Sequence, residues 1–583
     1  MNKLAASLSA VVLVTGCTES LKVQPPADAG KIAYTNARVF TQNDQQPWAQ
    51  TIITDGDKIT YVGDTTAGSS LIDADTRIID LSNRFVMPGM IDTHTHPGLV
   101  ASLQVDDNQD LEEQRIPKGL SRRETIEWLK AYSDNNPWKP FITLGEWDVD
   151  TFLPDGPTKE ELDEAFSLRP AIIFDNSGHS LWVNSSALTV FGVDEESVDI
   201  SPGISYFVRD KNGEATGWVK EFALMPQLKD YMLPDAEDLK ANLLEYLTFL
   251  SQHGITTLWD AGNFAWHDDI YQVAAELDKE NKLPLHYEGT FHVWSPAHLK
   301  IARDELLRLR KEYAGNRLQF NTIKIHYDGV SEIQTAGMLE PYIGTENNRG
   351  GVLFDANELS QFLLDLNDHD INLHLHAVGD RAVREALDAV ELATQNAPLK
   401  IDVALSHLET VHPEDILRFK SLGVHANFTP HWFGGTVFGE AGATNLGEAR
   451  SSYQQVANDF VQAGANVTLS SDVVSEAESH RANPFIGLQM SMTRQEYANG
   501  PEALVVAPLS ARLSLDDAIS AYTINAAHQM GLEDQIGTLE AGKKANFLIL
   551  KKNPFEVDTY QLHKLKPSAT VVDGLIVSGS ITQ

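Results

Sequence analysis

Phe85-Val86-Met87-Pro88-Gly89-Met90-Ile91-Asp92-Thr93-His94-Thr95-His96 is the stretch on which the reading of the whole chain turns. An apolar run delivers two histidines two residues apart. Side chains at i and i+2 of a strand share a face, so His94 and His96 converge on one point just past a buried strand. Two neutral imidazoles on one face suit a divalent transition metal. In a chain with 19 histidines, such a pair says little alone. It gains weight when other ligand types fall at the ends of later strands.

They do. Strand-like runs follow at 255–260, 284–289, 322–328, 371–376, 402–407, 423–428 and 466–472, with helical patterns between them at 236–253, 358–366 and 381–393. Eight strands alternating with helices predict an α/β fold, a (β/α)₈ barrel. The polar residues cluster at the strand ends. Strand one ends in His94 and His96. Strand four carries Lys324, with His326 and Asp328 on the same face. Strand five ends in His374 and His376, strand six in His407, strand eight in Asp472. All point to one rim.

The flanks of this barrel, taken as residues 89–535, read differently. Residues 31–88 and 536–583 hold short strand-like runs, with Asp55-Gly56-Asp57 as a hairpin turn. The two chain ends are expected to pair into one small β-sandwich. Residues from about 97 to 234 break the strand–helix rhythm and hold two strand-like runs, 141–145 and 171–175. They read as an insertion after strand one, on the catalytic side, and so as a lid or pocket wall.

The 583 residues are 42% hydrophobic and 22% charged, as in a soluble globular protein. A net charge of -37 argues against nucleic acid and anionic headgroups as partners. Cys17 is the single cysteine, which excludes an intramolecular disulfide. Lys3 precedes an apolar stretch, Leu4 to Val14, too short to span a bilayer. With Val14-Thr15-Gly16-Cys17 it resembles a bacterial lipoprotein signal. That resemblance implies a signal peptide over 1–16, lipid on Cys17, and a flexible tether over 17–30 around Pro25-Pro26. Thr18 after the cysteine implies the outer membrane, periplasmic side; an ordinary secretory signal is the alternative.

The strand-end set resembles the metal-dependent amidohydrolase superfamily, in particular amidohydrolase family 3, the N-substituted formamide deformylase-like (YtcJ-type) group. The motifs are the opening stretch; Gly178-His179-Ser180-Leu181-Trp182-Val183-Asn184-Ser185; Thr216-Gly217-Trp218-Val219-Lys220-Glu221; Ile323-Lys324-Ile325-His326-Tyr327-Asp328-Gly329; His376-Ala377-Val378-Gly379-Asp380-Arg381; and Gly537 to Asn546. Asn546 stands where the family has Asp, and Thr429-Pro430 where it often has Gln-Pro.

The resemblance implies that His94, His96 and Asp472 bind one metal. His376 and His407 would bind a second or contact substrate, and Lys324 would bridge two ions as a carbamate. A buried lysine has a lowered pKa, and only the neutral amine takes up carbon dioxide. The alternative is an unmodified Lys324 paired with Asp328. One or two divalent ions are implied, zinc by default, with iron or manganese also fitting. The expected reaction is attack by a metal-activated hydroxide on a carbonyl. Asp472 would shuttle the proton to the leaving nitrogen, and His407 or His376 would stabilise the oxyanion.

His179 and Trp182 of the insertion, Asp328 and Arg381 are the candidate substrate contacts. For His179 and Trp182 support of the inserted fold is the equal alternative, and for Arg381 a helix-start role. His374, deeper in its strand, would support a ligand. The expected activity is hydrolysis of a non-peptide C–N bond in an amide, N-formyl or cyclic amide substrate. The same site would also serve an ester or lactone hydrolase, and a non-catalytic envelope binding lipoprotein is the reading from another class. The resemblance also implies a homodimer.

Overall fold

The computed structural model describes residues 30–103, 115–435 and 440–581. The signal, Cys17 and nearly all of the tether lie outside the described residues. Eight parallel strands carry the sequence-predicted polar residues. They are β1 (Met90–Thr95), β2 (Ile255–Asp260), β3 (His286–Glu288), β4 (Thr322–His326), β5 (Asn372–Ala377), β6 (Val403–His407), β7 (Val424–Phe428) and β8 (Val467–Leu469). They form two sheets. One runs β1-β2-β3 and ends on the short strand Leu318–Gln319. The other starts at His292–Val293 and runs β4-β5-β6-β7-β8.

The segment after β3 passes from one sheet to the other. Gly289 N–H donates to the Gln319 carbonyl (2.7 Å) in the first, and Lys324 N–H to the Phe291 carbonyl (3.1 Å) in the second. At the opposite ends, Asp472 N–H donates to the His94 carbonyl (2.7 Å) and His96 N–H to the Val473 carbonyl (3.2 Å). Strands β1, β2, β4, β6, β7 and β8 are buried along their whole length, as parallel strands covered on both faces are.

The helices between the strands follow from their sequences. Ala236–Gln252 starts where the Asp235 carboxylate accepts the N–H groups of Glu237 and Asp238, a cap that contributes about 1 kcal/mol. Leu239, Leu243, Tyr246, Leu247 and Leu250 recur at helical spacing and are buried, facing β2 and the core. Ala356–Asn367 opens on a capping box made by Asp355 and Glu358.

The insertion holds five strands, three more than the two the sequence suggested. Their spatial order is Tyr206–Arg209, Ala215–Lys220, Ser180–Val183, Ala171–Asp175, Ile142–Trp147. The three unforeseen strands are short and joined antiparallel. Polar residues interrupt their apolar positions, so they lack the continuous run that marks a buried parallel strand. Trp147, Phe152, Trp182 and Trp218 fill the core of this sheet, together with Val330, Ile333 and Met338 from the loop after β4.

The chain ends meet in two further sheets. One has the order Lys58–Gly63, Thr51–Asp55, Ile32–Thr35, Arg77–Asp80. The other runs Leu575–Gly579, Pro567–Val572, Phe547–Leu550, Phe85–Pro88, Arg38–Phe40, Trp48–Ala49. Tyr34, Val39, Ile52, Val86, Phe547, Ile549 and Val571 belong to one apolar cluster between them. The opening stretch therefore spans two layers: Phe85–Pro88 pairs with Phe547–Leu550, and Met90–Thr95 pairs with β2.

Candidate metal centre

Register places the site. β4 and β5 pair Lys324 with His374 and His326 with His376; β5 and β6 pair Ala377 with His407. His94 lies on β1 and His96 one residue past its end, with both Nε2 atoms beside Asp472. Asp472 follows β8 at a left-handed φ of 50°, and His407 ends β6 at φ 76°. Two non-glycine residues in that region, at the ends of β6 and β8, mark stored strain of a kind found at functional sites.

The Asp472 carboxylate sits between the two histidines of β1. Its Oδ1 lies 3.3 Å from His94 Nε2 and 3.4 Å from His96 Nε2; its Oδ2 lies 3.7 Å from His407 Nδ1. A second carboxylate fixes this arrangement. Asp92 Oδ1 accepts N–H groups from Ser471 (3.0 Å) and His94 (3.3 Å), tying the loop after β8 to β1. Burial pushes the Asp92 carboxyl up to about 6.

Each first-strand histidine is oriented through its other ring nitrogen. His96 Nδ1 bonds the Gly262 carbonyl at 2.9 Å. A carbonyl only accepts, so Nδ1 carries the proton and Nε2 presents a lone pair. Gly262 sits at φ +126°, and a Cβ there would lie 2.5 Å from His292 Nδ1. Only glycine brings its carbonyl in so close. His94 Nδ1 lies 3.0 Å from His374 Nε2, so His374 sits behind a ligand, one step back from the centre.

Lys324 Nζ lies 3.1 Å from His94 Nε2. Burial drops its pKa to about 7, against the pull of Asp472. That shift corresponds to about 5 kcal/mol against the ammonium form. The ion pair with Asp328 does not form. Asp328 instead accepts the N–H groups of Val378 (3.0 Å), Gly379 (2.9 Å) and Gly337 (2.9 Å). It is fully buried, and burial, ahead of those bonds, pushes its carboxyl up to about 7. It braces the loops after β4 and β5.

Trp182 and Arg381 make the structural contacts that stood as the alternatives to substrate binding. The Trp182 indole N–H donates to the Thr158 carbonyl (2.7 Å), and its ring packs on Phe152; it is a core residue of the insertion. Arg381 donates to the carbonyls of Met338 (3.3 Å), Arg349 (3.2 Å) and Gly350 (3.1 Å), and to Glu385 (3.3 Å). Those bonds hold the loop between β4 and the helix Ala356–Asn367.

A row of imidazoles runs outward from His94. His407 lies 4.7 Å away between ring centroids, His376 a further 4.5 Å, and His326 stacks on His376 at 4.0 Å. Burial, reinforced by neighbouring imidazoles and by Lys324, pulls the pKa of each of the four well below the ordinary histidine range. Neutral rings are the form that ligates metal. His376 Nε2 donates to the Gly329 carbonyl (3.2 Å), while His407 Nδ1 is buried with no hydrogen-bond partner. Trp432 stacks on His407 at 5.0 Å.

His179 faces the outer end of the row, 6.0 Å from His376 and 5.8 Å from His326. Its Nδ1 bonds Glu221 Oε2 at 2.7 Å. Burial pulls its pKa down, but the Glu221 charge and hydrogen bond outweigh that and hold it up at about 9.

Two sets of donors come close enough to share one ion. The ligand atoms of His94, His96 and Asp472 lie within 4.8 Å of one another, as do those of His179, Glu221 and His326. The first set fits a divalent transition metal: two imidazoles and a carboxylate, His96 in its ligating tautomer, and an unpartnered imidazole nitrogen on His407 beside them. Glu221 and His326 were not assigned from sequence. The alternation from Lys324 to His326 was the available signal for one, and the motif ending in Glu221 for the other.

Comparison with known proteins agrees with this architecture. An N-substituted formamide deformylase of Arthrobacter pascens is 26% identical over 93% of this chain and 97% of its own length. The exoenzymes regulatory protein AepA of Pectobacterium carotovorum subsp. carotovorum is 27% identical over 68% of this chain and 85% of its own. An uncharacterized metal-dependent hydrolase from Pyrococcus horikoshii OT3 shares the fold, with a TM-score of 0.67 at 22% identity, covering 91% of this chain and 99% of that one. The model of the amidohydrolase family matches residues 77–578. That match takes in both sheets of parallel strands and every residue of the centre, and the chain belongs to the amidohydrolase family of hydrolases acting on carbon–nitrogen bonds.

Proposed function

We propose that this protein hydrolyses a non-peptide C–N bond, in an amide, N-formyl or cyclic amide substrate, at a centre held by His94, His96 and Asp472. The observation that carries the reading is the placement of one carboxylate oxygen, Asp472 Oδ1, within 3.4 Å of both histidine Nε2 atoms. The eight parallel strands are read as a closed barrel, and the two terminal sheets as a sandwich on its flank. Zinc is the default ion for such donors, with His376, His407 and a carboxylated Lys324 available to a second. A divalent ion there supplies Lewis-acid polarisation of a carbonyl and acidifies water to a pKa of roughly 7.

The residues supply the rest. Asp472 Oδ2, free of the two first-strand histidines, accepts the proton of the attacking water and returns it to the leaving nitrogen. An amide nitrogen departs poorly without that proton. Where a single ion is bound, His407, whose Nδ1 is buried without a hydrogen-bond partner, is free to donate to the oxygen that becomes negative in the transition state; where two are bound, it is a ligand instead. Asp92 and His374 hold Asp472 and His94 in register. Substrate lies between the strand ends and the insertion, on the side of His179. Cys17, by its resemblance to a lipoprotein site, would anchor the enzyme in the bacterial cell envelope.

The test pairs elemental analysis with a screen of N-formyl, N-acyl and cyclic amides, run beside matched esters. The expected result is turnover of an amide that vanishes on chelation and returns with zinc. Activity that survives a strong chelator and full metal depletion would end the reading.

A further inference from the structure

His179, Glu221 and His326 form a second group of donors on the outer side of the imidazole row, and the proposed reaction uses none of them as a ligand. They come from three separate places. His179 lies in the turn between two strands of the insertion, Glu221 just past the strand Ala215–Lys220, and His326 at the end of β4. Their ligand atoms lie within 4.8 Å of one another. Glu221 Oε2 is 2.7 Å from His179 Nδ1 and 3.7 Å from His326 Nε2.

Several features show that this cluster is built. The Glu221 side chain is fully buried, which excludes the ordinary reading of an exposed acid. It is held at a left-handed φ of 50°, a strained position for glutamate. Its other oxygen, Oε1, accepts from Thr335 Oγ1 (2.5 Å), which aims Oε2 at the imidazoles. Gly329 leaves room for this pair: a Cβ there would sit 2.4 Å from Glu221 Oε1 and 2.2 Å from Thr335 Oγ1. The turn that carries His179 is fixed by Asp175, which accepts from the N–H groups of His179 and Ser180. His326 Nε2 is buried, points at this carboxylate, and has no hydrogen-bond partner. A buried polar nitrogen left unpaired is destabilising, and a bound ion would give it a partner.

We propose that His179, Glu221 and His326 hold a further divalent transition-metal ion, separate from any held by His94, His96 and Asp472 or by His376, His407 and Lys324. Two imidazoles and a carboxylate are a donor set for zinc, iron(II), cobalt(II) or manganese(II), the ion displacing to solvent the proton that His179 Nδ1 shares with Glu221 Oε2. Because two of the three ligands come from the insertion or its edge, an ion here ties the insertion to the end of β4. It also presents a positive charge to a carbonyl or carboxylate of the substrate on the side away from Asp472.

The probe is cobalt(II). Crystals of the full chain loaded with cobalt are measured at the cobalt absorption edge. The proposal expects an anomalous peak among His179 Nδ1, Glu221 Oε2 and His326 Nε2, and a bare position there overturns it. In solution, Glu221→Gln and His326→Gln should each lower bound cobalt by about one ion per chain, while His94→Ala with His96→Ala leaves that ion in place. Unchanged stoichiometry in folded Glu221→Gln and His326→Gln overturns it as well. The readout is metal content and not turnover, so a peak at the inner donors alone sinks this inference and leaves the proposed reaction standing. A peak at the outer donors alone does the reverse.

Discussion

Two groups of histidines and carboxylates stand side by side in this molecule and are assembled from different kinds of chain. The inner group, His94, His96, His407 and Asp472, comes from the ends of parallel strands, and the neighbouring β1–β8 backbone bonds set its spacing. The outer group takes two of its three members from the insertion or its edge, a turn and a strand end, and only His326 from the parallel sheet. The inner group is braced by backbone and by buried partners such as Asp92 and His374. The outer one depends on a single threonine bond, a glycine and the packing of the insertion on the loop after β4. On the proposed reading, the chemistry that must stay in register sits on the stiff part, and the insertion is left to set what enters.

The sharpest way to break that contrast is Asp472→Asn. The fold and the inner histidines should survive, and kcat on an amide should fall by about 10³-fold, the scale of a lost general base. An enzyme that keeps full turnover would remove the inner group from the chemistry. His374→Ala comes next. It strips His94 Nδ1 of its 3.0 Å partner and should weaken metal binding at the inner donors by about 10–100-fold, measured by competition with a chelating dye. Equal affinity would mean that His374 merely fills space.

A smaller, pH-dependent effect tests Lys324. Its pKa of about 7 in the folded protein lies below the ordinary lysine value because of burial. The neutral amine therefore predominates above about pH 7 and the ammonium below it. Incorporation of labelled bicarbonate as a carbamate, seen by carbon-13 NMR, should be present above that point and lost as pH falls through it. For the unmodified lysine the sign in stability is set by the same shift: between the unfolded value and about 7, falling pH protonates the unfolded chain first and lowers stability. The smallest effect belongs to the insertion. Trp182→Phe loses the indole bond to Thr158 and should cost about 1 kcal/mol in a urea melt, with kcat unchanged. A change in substrate preference would return Trp182 to the cleft.

The inner group was legible because strand ends obey a period of two. His94 and His96, Lys324 and His326, and His374 and His376 each announce a shared face before any coordinate is known. The strain at His407 and Asp472 had no local signature. The insertion was only half legible: antiparallel strands such as Ser180–Val183 and Ala215–Lys220 are short and mix polar with apolar positions. Trp182, Asp328 and Arg381 all make their hydrogen bonds within the protein. A motif shows that a side chain is needed, and not whether its partner is substrate, backbone carbonyl or core.

What the linear chain determined by itself was the alternation of strands and helices, the pairing of its two ends, and the residue types delivered to each strand end. Those depend on local periodicity and on burial, which are written residue by residue. Which nitrogen of His96 keeps its lone pair, where Asp328 spends its hydrogen bonds, and whether Glu221 and His326 meet His179 were decided only in three dimensions. Each depends on a partner far away in sequence, brought close by packing that no short window of residues encodes.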